Sequence, residues 1–72
     1  MKLKLKLLKW QAGRPVAILH KQLADNSSIH VDDRIVISKN GKKIEAVVDI
    51  ASGLLKENEI IISNEIEDEL KL

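Results

Sequence analysis

Near the middle of the chain, Asn40-Gly41 separates two runs dense in β-branched residues, Arg34-Ile35-Val36-Ile37-Ser38 and Lys43-Ile44-Glu45-Ala46-Val47-Val48-Asp49-Ile50. Both central positions of a type I′ turn need positive φ, and Asn-Gly supplies them at least cost, so the pair predicts a tight β-hairpin. Residues 2 to 7 alternate Lys and Leu, which on a strand over 2–9 places Leu3, Leu5 and Leu7 on one face and Lys2, Lys4 and Lys6 on the other. Gln11-Ala12-Gly13 reads as a turn, and 14–19 as a second strand. Pro15, which cannot donate a ladder hydrogen bond, belongs at that strand's start or on an edge.

Lys21 to Ala24 favour a short helix over 20–26, ended by Asn26-Ser27-Ser28. Asp32-Asp33 predicts a turn in which an Asp caps backbone N–H groups before the strand at 33–38. After the hairpin and the strand at 43–50, Ser52-Gly53 marks a break and 54–58 a loop. Glu59-Ile60-Ile61-Ile62-Ser63 then reads as a buried strand. The segment from Asn64 reads as a helix with Asn64 as N-cap, Glu67 at the capping-box position, and Ile66 and Leu70 on one apolar face. The order strand, strand, helix, strand is thus followed by strand, strand, helix. A single domain over 1–72 is expected, mainly β with two short helices, made of pseudo-symmetric halves 1–39 and 42–72, the second lacking its last strand. Such an absence leaves an open edge that should seek a partner.

A chain of 72 residues builds a core that rarely supplies more than a few kcal/mol of net stability. Cysteine is absent, which removes disulfides and thiolate zinc sites, and His20 and His30 lack ligand spacing. Packing against a partner is the remaining support. A Lys/Glu-rich, Cys-free, Ile-rich composition fits a heat-adapted source. No stretch approaches the roughly 18 apolar residues of a membrane span, and the Lys-interrupted start does not resemble a signal peptide, so a cytoplasmic protein is expected. Residues 1–36 carry seven basic and three acidic side chains and residues 37–72 five and eight, an asymmetry that can steer self-association.

No catalytic, cofactor-binding or metal-binding residues are expected. Gly13, Gly41 and Gly53 are isolated at turns and form no phosphate loop. Ser27, Ser28, Ser38, Ser52 and Ser63 lack nucleophile context. His20, at a strand-to-helix junction, reads as a cap or surface residue, and Glu65, Glu67, Asp68 and Glu69 as a helix start and solvated face. Lys2, Lys4, Lys6, Lys9, Arg14, Lys42 and Lys43 could form a phosphate-contacting patch, but Trp10 is the only aromatic residue and stacking platforms are missing. Trp10 reads as a core or interface residue.

The alternating basic-aliphatic first strand, Gly13-Arg14 leading a second strand, a short helix, and Ile29-His30-Val31-Asp32-Asp33-Arg34-Ile35-Val36-Ile37 together resemble the N-terminal domain of archaeal AMP phosphorylases, long known as thymidine phosphorylases. That domain is similar to double-psi β-barrels, which also occur at the N-terminus of Cdc48-type ATPases. In such folds a Gly-Asp pair precedes the last strand of each half. Asp33 matches the Asp, and Asp32 stands where Gly is common, a place Asp tolerates. The resemblance implies that the parent is a phosphorolytic pentosyltransferase acting on nucleoside monophosphates, with its chemistry in downstream domains. This segment is then a non-catalytic assembly domain whose partners are copies of itself, as a homodimer or higher oligomer, and those downstream domains. The alternative is a binding module, either a Cdc48-type adaptor-binding barrel or an AbrB-type DNA-binding domain, the latter similar to residues 1–38 alone.

Overall fold

A computed structural model describes residues 3–6 and 8–71. Their elements follow in the order β1 (Lys4–Leu5), β2 (Val16–His20), α1 (Lys21–Asn26), β3 (Arg34–Lys39), β4 (Lys42–Ala51), β5 (Glu59–Ile62) and α2 (Asn64–Leu70). The strands form one sheet in the order β1-β5-β2-β4-β3, curled into a half-barrel. β1 is parallel to β5, β2 antiparallel to β5 and parallel to β4, and β3 antiparallel to β4. The edge strands β1 and β3 therefore run in the same direction.

The hairpin forms as its dipeptide dictates. Asn40 and Gly41 have φ of 54° and 78°, and Lys39 pairs with Lys42 across them. Asp32 also takes positive φ, 71°, and Asp33 Oδ2 accepts the His30 N–H at 2.8 Å. Pro15 precedes β2, which is central, so of its two expected places the strand start holds and the edge does not. Its carbonyl still serves the sheet by accepting the Val47 N–H at 3.0 Å. Among the described residues of the first strand, Lys4 and Leu5 are paired with β5 and the Lys6 N–H bonds to the Ile60 carbonyl; Lys2 and Leu7 lie outside the described residues.

Cross-strand partners share a face, so the register divides the side chains. The inner face carries Ala17, Leu19, Ile60, Ile62, Ala46, Val48, Ile35 and Ile37. Ile66 and Leu70 of α2 are buried against one end of it, on Ala17, Ala46 and Ile62. The outer face of β2 and β5 carries Ile18 and Ile61, covered by Leu55, Trp10 and Ala51. Burial on both faces explains the uninterrupted apolar runs at 16–19 and 60–62. Leu55, expected in a loop, is indeed in a non-regular segment but closes this outer cluster.

α2 starts one residue earlier than its sequence signals predict. Ser63 is the N-cap, Asn64 is already helical, and Glu67 makes no side-chain bond to the cap. The Ser63 hydroxyl does not cap its own helix either. It accepts the buried Val16 N–H at 3.1 Å and donates to the part-buried Arg14 carbonyl at 3.3 Å, satisfying backbone groups at the entry to β2.

Candidate functional site

The pairings reveal an internal twofold relation. Adding 43 to a residue number carries Lys4 to Val47, Val16 to Glu59 and Lys21 to Asn64, so β1, β2 and α1 map onto β4, β5 and α2. The parallel pair Lys4 and Glu59 maps onto Val47 and Val16, and the antiparallel pair Ile18 and Ile61 maps onto itself. Backbone bonds obey the same shift: Lys4 N–H to Asn58 carbonyl, 2.8 Å, corresponds to Val47 N–H to Pro15 carbonyl, 3.0 Å. Ser28, just past the end of α1, and its counterpart Lys71, which closes α2, have matching φ of 56° and 55°.

One correspondence fails, and it defines the site. β4 has β3 on its outer side, whereas β1 has no strand on its outer side among the described residues. Val48 donates to the Asp33 carbonyl at 2.8 Å and accepts the Asp32 N–H at 3.0 Å. Its counterpart is Leu5. The Lys4 and Lys6 N–H groups bond back toward β5, so the alternating backbone groups of Leu5 aim the other way, into the opening. Burial follows suit: Ala46 and Val48 are 1% exposed, while their counterparts Leu3 and Leu5 are half-buried and 39% exposed.

The opening is an apolar groove of about 390 Å³ on the inner face. Leu3 borders it on one side and Ile35 and Ile37 of β3 on the other, with Leu19 and Ile60 in its floor. Both sheet edges thus flank a single gap. Outside it, Lys4, Lys6 and Lys39 are exposed. Lys6 Nζ donates to the Leu54 carbonyl, Arg34 is paired with Glu45 at 3.0 Å, and Lys4 and Lys39 make no ion pair among the described residues.

The remaining residues singled out by the sequence do not converge on one place. His20 Nδ1 accepts the Gln22 N–H at 3.1 Å as the cap of α1. His30 is exposed, 3.6 Å from Asp33 in a turn. The basic residues are spread over the sheet: Lys4 lies on β1 with Lys6 just after it, Arg14 before β2, and Lys42 and Lys43 at the hairpin end of β4, with β5 and β2 between β1 and β4. Trp10 is half-buried against the outer cluster and borders a cleft of about 280 Å³ with Arg14, Asp32 and Asp49. Its indole N–H has no partner among the described residues.

Glu65 differs from the rest of its acidic cluster. Its carboxylate accepts N–H groups of Gly13, at 2.9 Å, and Ala12, at 3.3 Å, tying α2 to the turn before β2. Gly13 has φ 84°, which a side chain would oppose. A hydrogen bond from its own backbone N–H is the main cause holding the Glu65 carboxyl below the usual carboxylate range; partial desolvation opposes it, and the Gly13 and Ala12 N–H groups reinforce it. A depressed folded value stabilises above the ordinary carboxylate range and is lost as pH falls through the lower folded value. Glu65→Gln is therefore expected to lower the urea midpoint above about pH 5, with wild type and variant converging at more acid pH. Parallel curves across that range would show that the carboxylate charge is irrelevant.

Sequence reasoning passed over Ser63, Leu55 and Glu65 because each acts across a sequence separation that no local pattern encodes. No helix of the described residues is long and apolar enough to cross a membrane. Comparison with protein-family models and with curated proteins finds no match to this chain.

Proposed function

We propose that this chain is a non-catalytic assembly and support module with a double-psi β-barrel-like plan, of the kind that stands at the front of archaeal AMP phosphorylases. It works by having its unclosed gap covered by other protein surface. The observation that carries this reading is the pair of unequal halves: Leu3 is half-buried and Leu5 exposed, whereas Ala46 and Val48 are sealed beneath β3 and the Asp32-Asp33 turn before it. Apolar groove and unpaired edge together favour association. The partners are other copies of the chain and the domains of a larger cytoplasmic protein.

Sedimentation velocity from low to high micromolar concentration tests the reading. The sedimentation coefficient is expected to rise with concentration, and incubation with AMP and phosphate is expected to release no adenine. A monomer at every concentration would remove self-association, and released adenine would make the chain an enzyme.

A further inference from the structure

We propose that the gap between β1 and β3 takes one extended strand from another protein chain, antiparallel to β1, with aliphatic residues facing inward and acidic residues facing outward. This rests on the assembly reading and names the partner of the same site. Strand direction comes first. β1 and β3 run the same way, so a strand running opposite to β1 is antiparallel to both edges. The internal twofold gives the same direction, because β3 lies antiparallel to β4, the counterpart of β1.

The twofold also sets the register. Leu5 would exchange both backbone bonds with the inserted strand as Val48 does with Asp32 and Asp33. The residue opposite Leu3 corresponds to Ile35, which faces Ala46, and the residue opposite Lys4 corresponds to Arg34, which faces Val47. An aliphatic side chain therefore belongs opposite Leu3. Opposite Lys4, where the outer face is cationic, a carboxylate belongs.

Charge then decides against a second copy as the tight occupant. In a β1 pair between two copies, every register that matches the leucine faces sets Lys4 or Lys6 against a lysine. A shift by one residue puts leucines onto the lysine face instead. A second copy's β3 in the twofold register sets its Arg34 against Lys4. Copies cover the apolar groove without completing its ladder, and an acidic-aliphatic strand does both.

The test uses capped peptides of about nine residues, one alternating Glu and Ile, one alternating Lys and Ile, titrated into the ¹⁵N-labelled chain at low salt. The Glu/Ile peptide is expected to bind about tenfold more tightly than the Lys/Ile peptide, to protect the Leu5 amide from exchange, and to disperse the self-associated species. The double variant Lys4→Glu with Lys6→Glu is expected to reverse the preference. Equal affinities, an unreversed order, or shifts confined to the Trp10 cleft would overturn the proposal. Self-association that persists without peptide binding would overturn it while leaving the assembly reading intact.

Discussion

Ile66→Ala is expected to leave the protein largely unfolded at room temperature. Ile66 is 0% exposed and carries α2 into the inner cluster with Ala17, Ala46, Ile62 and Leu70. Truncating a buried isoleucine to alanine costs about 2–5 kcal/mol, because the lost transfer energy is joined by a cavity the neighbours fill only partly. A domain of this size rarely has more than about 3–5 kcal/mol in total. α2 spans only Asn64–Leu70 and is far too short to persist by itself, so its helicity depends on this face. Circular dichroism with urea unfolding checks the expectation, with the exposed Glu69→Ala as control, which should stay within about 0.5 kcal/mol of wild type. A loss below about 1 kcal/mol for Ile66→Ala would mean that α2 does not anchor the inner face.

Ser63→Ala is expected to destabilise by about 1–3 kcal/mol, more than a serine at a helix start suggests. Ser63 is fully buried, and its hydroxyl serves the Val16 N–H and the Arg14 carbonyl. Alanine leaves the buried Val16 N–H without a partner in a place water reaches poorly, so the cost is the desolvation of an orphaned group as well as the loss of a bond. The helix start itself should survive, because the Ile66 and Glu67 N–H groups bond to the Ser63 backbone carbonyl, which alanine keeps. Urea unfolding gives the magnitude, and amide exchange locates it: the Val16 amide is expected to exchange faster while those of Ile66 and Glu67 keep their rank. A change below about 0.3 kcal/mol would show that another donor or acceptor replaces the hydroxyl.

Local chemistry made the elements legible. Asn40-Gly41 could form only one kind of turn, Asp32 tolerated the positive φ it was given, and Ile66 and Leu70 announced the buried stripe of α2. The Lys/Leu alternation correctly set Leu3 and Leu5 against Lys4, because side-chain alternation is a property of any strand. The helix boundary falls at Ser63, one residue before the Asn64 that the local signals favour. Both residues are good caps, and the choice between them fell to a hydrogen-bond demand from Val16, 47 positions away.

The sequence by itself determined which segments are strands and helices, the hairpin, and the repeating order of the two halves, since all of these follow from interactions within a few residues. Only the tertiary structure decided that the halves pair through β2 and β5 with a constant shift, that Leu55 and Ser63 are structural, and that β1 and β3 border the same opening. Those outcomes depend on which strand lies beside which. Ladder hydrogen bonds and apolar burial settle that jointly over the whole sheet, and no single segment carries the information. The gap, its apolar floor and its basic rim exist only once β5 and β2 have been placed between β1 and β4.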